Sequence, residues 1–204
     1  TAGPVITILG ENPLTVEYGS DYVDAGATAV DVRDGAVSVT TSSTSSSTVL
    51  GEQTITYTAT DALGNTSTAT RTINVVDTSG PVITILGENP VTLEWGDDYI
   101  DAGATAVDVR DGTVSVTTSS TSSSFEVGEQ TITYTATDSL GNTSTATRIV
   151  NVVDTTPPVI TILGDNPASS ELGSDYTDAG ATATDNRDGA IDVVVTSTSS
   201  ENTI

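Results

Sequence analysis

The sequence predicts an all-β fold of tandem sandwich domains, and three observations carry the prediction. The first is repetition. Pro-Val-Ile-Thr-Ile-Leu-Gly-Glu-Asn-Pro begins at Pro4 and Pro81 and returns, with one Glu-to-Asp change, at Pro158, so the period is 77 residues each time. A fixed period of that size marks an array of one folding unit. Residues 3–78 and 80–155 align without a gap and differ at 12 positions, mostly by mild exchanges such as Val23 for Ile100 or Tyr18 for Trp95. The second observation is composition: Thr, Val and Ile prevail, and no stretch shows the apolar period of a helix. The third is spacing, because Gly, Asn, Asp and Pro turns interrupt short apolar runs every 8–12 residues or so.

Read in order, each repeat is a series of short strands. In the first, Val5–Leu9 ends at Gly10 and the Asn12-Pro13 turn, and Leu14–Tyr18 continues along a second sheet until Gly19-Ser20-Asp21. Residues 24–31 (DAGATAVD) alternate small side chains as a strand should. A turn at Arg33-Asp34-Gly35 leads to a strand over Ala36–Thr41. The last hairpin is the clearest. Thr54–Thr60 places Ile55, Tyr57 and Ala59 on one face, residues 61–65 (DALGN) make the connection, and Thr66–Val76 returns with Ile73 and Val75 inward. Arg71 shares that inward parity, so a bulge or an edge position is expected to let its guanidinium escape. Tyr57-x-Ala59 has the pattern of a tyrosine corner with Ala in the cysteine place. About seven short strands of this kind make an Ig-like β-sandwich, and the chain becomes a linear array of them.

The domains are expected at 1–78, 79–155 and 156–204, the last without its closing strands, since Ile204 aligns with Leu50. The chain therefore reads as part of a longer array. The other reading is a subunit whose last strands come from a neighbour and complete it as a fibre, because a half-sandwich has open edges.

The residue inventory excludes several functions. Twenty-eight acids against five arginines give a net charge of −23, which leaves nothing to neutralise phosphates, so nucleic acid is excluded as a partner. Such acidity favours solubility and the uptake of cations. There is no apolar run of membrane-spanning length and no signal peptide. Cys, His and Lys are all absent. Disulfides, thiolate or imidazole metal sites, histidine triads and Lys–Asn isopeptide crosslinks are thus unavailable, and no enzyme is expected.

Residues 54–78 (TITYTATDALGNTSTATRTINVVDT) resemble the closing half of hyalin repeats. Residues 21–35 (DYVDAGATAVDVRDG), and more closely 181–189 (ATATDNRDG), are similar to bacterial surface Ig-like repeats. The resemblance covers each repeat end to end. It implies an extracellular or cell-surface setting and a place in adhesins, extenders or multi-domain secreted proteins.

The aspartates are the residues with chemistry to offer. Ca²⁺ takes six to eight oxygen ligands, largely carboxylates and carbonyls, on adaptable loops. In an Ig-like topology the loop after the second strand and the last hairpin face the exit of the preceding domain. Asp77 is therefore expected near Asp108, Asp111 and Asp138, and Asp154 near Asp185 and Asp188; Asp31, Asp34 and Asp61 are the matching set in the first repeat. Calcium at these places would stiffen the junctions. The competing reading is plain turn chemistry, in which the Asp side chains cap loop amides and Gly takes a positive φ. Both readings stand at the level of sequence.

Other features are weaker. The Ser/Thr runs 40–48 and 117–124 suit a solvated edge or loop, or O-linked sugars, and Asn65-Thr66-Ser67 and Asn142-Thr143-Ser144 are N-glycosylation sequons. The aromatics Tyr18/Trp95, Tyr22/Tyr99/Tyr176 and Tyr57/Tyr134 fit strand packing better than a sugar platform. Glu17 and Glu94 lack the second carboxylate that a glycosidase needs. The linkers Asp77–Pro81 and Asp154–Pro158 are short, and Pro157-Pro158 should make the second stiffer than the first, which has Gly80. The function expected is that of a structural extracellular spacer or shaft. Its rivals are a carbohydrate- or surface-binding module and a self-assembling fibre subunit.

Overall fold

The computed structural model describes residues 2–42, 45–119, 122–171 and 173–196. Every element among them is a strand, and the chain is all-β. In the first repeat these are β1 (Val5–Ile8), β2 (Leu14–Glu17), β3 (Ala27–Asp31), β4 (Gly35–Val37), β5 (Val39–Thr41), β6 (Gly51–Thr60) and β7 (Thr66–Val76). They form two sheets, ordered β1-β3-β4 and β2-β7-β6-β5. All pairs are antiparallel except β2 with β7, which is parallel.

Two changes of sheet shape the sandwich. The first falls at Asn12-Pro13, where the chain leaves β1 and joins β7 as β2. Asn12 makes the crossing secure: its Nδ2 donates to Thr70 O at 3.0 Å and its Oδ1 accepts from Thr72 N at 2.9 Å. The second falls at Ser38. The expected strand Ala36–Thr41 is in fact two, Gly35–Val37 paired with β3 and Val39–Thr41 paired with β6. A strand that alternates cleanly in sequence can still change partners, because period 2 does not say which sheet it serves.

The core lies between the sheets. Val16, Ile55, Tyr57, Ile73 and Val75 are buried, with Ile6, Ile8, Leu14, Tyr18, Tyr22, Ala27, Val39 and Leu50 packed against them. The hairpin parity read from sequence is the observed one.

Arg71 departs from expectation. Its ladder runs unbroken from Gly51↔Val75 to Thr60↔Thr66, with Ile55 opposite Arg71, so there is neither a bulge nor an edge. The residue is 1% exposed. Its guanidinium stays inside because partners meet it there. Nε lies 3.3 Å from Asp24 Oδ1, and Nη2 donates to Leu9 O and, at 3.4 Å, to Gly26 O. Asp24 lies before β3 rather than within it, and its carboxylate also accepts from Tyr57 Oη at 2.7 and 2.8 Å and from Tyr22 Oη at 3.3 Å. Tyr57 is thus not a tyrosine corner bonded to nearby backbone; it reaches Asp24, 33 positions away. Burial, then the hydrogen bond and charge of Asp24, push its phenol up to about 12.

The second repeat follows the same plan with β8 (Val82–Ile85), β9 (Val91–Glu94), β10 (Ala104–Asp108), β11 (Gly112–Val114), β12 (Val116–Thr118), β13 (Gly128–Thr137) and β14 (Thr143–Val153). Its sheets are β11-β10-β8 and β12-β13-β14-β9. Arg148 is 1% exposed and pairs through Nε with Asp101 Oδ1 at 3.0 Å. The third repeat has β15 (Val159–Ile162), β16 (Ala181–Asp185) and β17 (Gly189–Ile191) in one sheet. Residues 197–204, which end its expected domain, lie outside the described residues, as do 43–44 and 120–121 of the Ser/Thr runs. No helix among the described residues is long and apolar enough to cross a membrane.

By compactness the chain divides into two units. One comprises Thr1–Leu86, Gly103–Ser119 and Thr133–Ala146; the other comprises Gly87–Ala102, Ser120–Ile132 and Thr147–Ile204. The first unit holds the first repeat, the linker after it and the loops of the second repeat that meet that linker.

Candidate metal centre

The linker leaving the first repeat is held by a residue that sequence reasoning had set aside. Glu17, at the end of β2, accepts through Oε1 from Thr78 N at 2.8 Å and Ser79 N at 3.0 Å, and through Oε2 from Thr78 Oγ1 at 2.9 Å. The Thr78 amide above all holds its carboxyl below the usual range. Glu94 does the same for the next linker, with Thr155 N at 2.7 Å and Thr156 N at 3.0 Å. The linker amides would otherwise be unpaired, and a carboxylate is a strong acceptor for them. The signal in sequence was the constant Glu at the end of the second strand, 61 residues before a Thr in both copies. Because the folded pKa is lowered, the clamp holds above the ordinary carboxylate range and is released only as pH falls through the lowered value. Glu17→Ala should accelerate hydrogen exchange at Thr78 and Ser79 by at least about tenfold at neutral pH, one hydrogen bond's worth or more. Unchanged exchange would show that the clamp does not order the linker.

So positioned, Asp77 enters a cup made by two turns of the second repeat. Asn142 Nδ2 donates to Asp77 O at 3.0 Å. A Cβ on Gly19, where φ is 73°, would fall 2.7 Å from Val109 Cγ1. Gly80, expected to loosen the linker, is instead a close approach: a Cβ there would meet Ser144 Oγ at 2.6 Å.

One carboxylate oxygen each from Asp77, Asp108 and Asp138 lies within 4.8 Å of the others. Oxygens that share one calcium at 2.3–2.6 Å are separated by no more than about 5 Å, so the spacing fits. The Asp77 side chain is 5% exposed, and its Oδ2 has no hydrogen-bond partner. Burial and then the charges of Asp108 and Asp138 raise its pKa. A buried, unsatisfied acceptor facing two further carboxylates is a costly arrangement that a cation relieves.

The turn reading is also realised, on other oxygens. Asp108 Oδ1 accepts from Arg110 N at 2.8 Å and Asp111 N at 2.9 Å. Asp138 Oδ1 accepts from Leu140 N at 2.9 Å and Asn142 N at 2.8 Å, and its Oδ2 accepts from Asn142 Nδ2 at 2.7 Å. Burial opposes ionisation of Asp138, yet these bonds prevail and lower its pKa. Asp111 does not join the cluster. Its Oδ2 accepts from Ser139 N at 2.7 Å, which lowers its pKa, while Oδ1 faces Arg110 at 3.1 Å.

The first repeat brings Asp31, Asp34 and Asp61 within the same 4.8 Å. Asp31 Oδ1 caps Arg33 N and Asp34 N at 2.8 and 3.0 Å, and Asp34 Oδ2 accepts from Ala62 N at 2.9 Å. Beside them, an apolar cavity of about 240 Å³ is lined by Val5, Val30, Val32 and Leu63 among others. In the third repeat Asp154 meets Arg187 Nη1 at 3.5 Å, and that same nitrogen lies 3.6 Å from Asp188 Oδ1. Asp185 Oδ1 caps the Arg187 and Asp188 amides at 2.8 and 3.0 Å.

The remaining features behave as local structure. Asn65 Nδ2 donates to Asp61 Oδ2 at 2.6 Å, and Asn142 Nδ2 has its two bonds above, of which a sugar on that sequon, leaving one N–H, would remove one. The Ser/Thr run is tied down at Ser46, which exchanges two hydrogen bonds of 2.8 Å with Gln53. Tyr57 and Tyr134 are fully buried. Trp95 meets Phe125 edge to face at 5.4 Å, and Phe125 is 65% exposed.

The model of the family described as bacterial surface protein, Ig-like domain, matches residues 6–75 and 83–152. Hyalin of Lytechinus variegatus is 35% identical over 189 residues, which cover 85% of this chain and 36% of that protein. Hyalin of Strongylocentrotus purpuratus is 37% identical over 157 residues, 70% of this chain and 13% of that protein. The serine-rich adhesin for platelets of Staphylococcus aureus (strain MRSA252) is 31% identical over 151 residues, 67% of this chain and 11% of that protein. The chain thus spans about a third or less of the length of these relatives.

Proposed function

Because the chain belongs to the bacterial surface protein, Ig-like domain family, we propose that it is a load-bearing spacer of an extracellular structural or adhesive protein, with calcium holding successive repeats in line. The family is one of surface proteins and not of enzymes, and its matched relatives here are hyalins and a surface adhesin. The observation that carries the finer reading is the buried Asp77 Oδ2, which accepts no hydrogen bond and faces Asp108 and Asp138 at the junction of two repeats. Asp77, Asp108 and Asp138 would hold the ion. Calcium there would supply a divalent charge that binds both repeats' carboxylates at once, where none of these side chains can neutralise another.

The chain's own residues do the rest. Glu17 orders the linker, Asn142 holds the Asp77 carbonyl, and Gly19 and Gly80 allow close approach. Neighbouring repeats are therefore the partners. Small-angle X-ray scattering of the chain in millimolar calcium and in EDTA tests this reading. Calcium should narrow the distribution of interdomain distances and lengthen its maximum. Superimposable profiles in the two conditions would contradict a calcium-held spacer.

A further inference from the structure

The chain has five arginines, and two of them, Arg71 and Arg148, are core residues. The other three occupy one position of the repeat: Arg33, Arg110 and Arg187. Where an Asp77-type residue precedes the repeat, the guanidinium reaches it. Arg110 Nη1 lies 3.7 Å from Asp77 Oδ2, 3.1 Å from Asp111 Oδ1 and 2.9 Å from Ser139 Oγ. Arg187 Nη1 lies 3.5 Å from Asp154 Oδ2. Arg33 pairs with Asp34 at 3.7 Å, and its side chain is 61% exposed against 25% for Arg110.

Arg110 therefore stands over the cluster without satisfying it. At 3.7 Å its Nη1 pairs with Asp77 Oδ2 by charge but is too far for a hydrogen bond, and that oxygen accepts none. The guanidinium is nevertheless a positive charge tethered beside three carboxylates, its Nη1 held by Asp111 and Ser139. A cation entering between the carboxylates would meet it at close range.

We propose that Arg110 is a built-in counter-cation of the junction, which latches Asp77 to the second repeat when calcium is low and competes with calcium for the same carboxylates. This rests on the calcium reading above. Two consequences follow from the charge alone. Removing it should tighten calcium binding, and it should loosen the junction when no calcium is present.

The test uses the full chain as wild type, Arg110→Gln, Arg110→Lys and Arg33→Gln. Calcium chloride is titrated by calorimetry, and hydrogen exchange at Thr78 and Ser79 is followed in EDTA. Arg110→Gln should bind calcium at the junction about tenfold more tightly, as expected for a nearby charge partly screened by solvent. In EDTA its linker amides should exchange several-fold faster. Arg110→Lys, which keeps the charge, should stay near wild type in affinity, and Arg33→Gln should change neither junction readout. If wild type binds calcium and Arg110→Gln binds it equally well, the competition is overturned while the calcium reading survives. If neither protein binds calcium, the calcium reading itself fails and the competition with it. Unchanged linker exchange in EDTA overturns the latch.

Discussion

Arg71→Leu should destabilise the first repeat by about 3 kcal/mol. Removing one member of a buried ion pair costs about 3–5 kcal/mol, and the lower figure applies because the Asp24 side chain is 24% exposed. The substitution strips Asp24 of its cation and removes the Arg71 hydrogen bonds to the Leu9 and Gly26 carbonyls, of which Gly26 keeps the Leu9 amide. In a sandwich of this size that is a large part of the total stability, and the melting point should fall by more than about 10 °C. Calorimetric melting of the chain would show it as one transition moving down. Adding Asp24→Leu to Arg71→Leu should cost less than the sum of the two single changes, since the second removes a charge already left alone. Additive losses, or a loss below about 1 kcal/mol for Arg71→Leu, would mean that the pair is not the hub of the core.

That hub shows what the sequence could and could not reveal. Alternation placed Ile55, Tyr57, Ile73 and Val75 inward, because in a one-sided sheet parity decides burial. It placed Arg71 inward as well, and the inference went wrong only in supposing that a cation must escape. Asp24 could not be chosen as its partner from sequence, since 47 positions separate them and Asp-Ala-Gly reads equally well as a turn. Glu17 was missed for the same reason. Its partners are mainly linker amides, which every residue has, so the constant spacing from Glu17 to Thr78 and from Glu94 to Thr155 does not by itself name them. The aspartates of the junction were legible because topology alone brings the loops of one repeat to the exit of the last. The sorting among them was not. Asp111 is drawn away by the Ser139 amide, a choice made by loop geometry on the scale of one hydrogen bond.

The second large effect concerns Asp77. Asp77→Asn is isosteric and removes one of three clustered charges; in EDTA the relief of burial and repulsion outweighs the loss of its 3.7 Å contact with Arg110, so the variant should be as stable as wild type or more so. The raised pKa of Asp77 has the same meaning: at neutral pH its charge is held at a cost, by burial and by Asp108 and Asp138. In calcium the order should reverse. Wild type should gain about 2.7 kcal/mol at free calcium a hundredfold above the dissociation constant, and the variant should gain little. A crossing of this kind separates a metal site from a merely polar turn, because loss of a turn cap would weaken the protein equally in both solutions. Asp77→Asn less stable than wild type in EDTA and in calcium alike would assign Asp77 to the turn.

Calcium taken up by the cluster of Asp77, Asp108 and Asp138 would couple two repeats. The most direct test is calorimetric melting of the whole chain in excess EDTA and then in millimolar calcium. The melting point should be higher by roughly 10 °C or more in calcium, from a stabilisation of about 2.7 kcal/mol. The shift should disappear in Asp77→Asn. Identical melting curves with and without calcium would contradict the claim and leave the junction to Glu17, Asn142 and Arg110 alone.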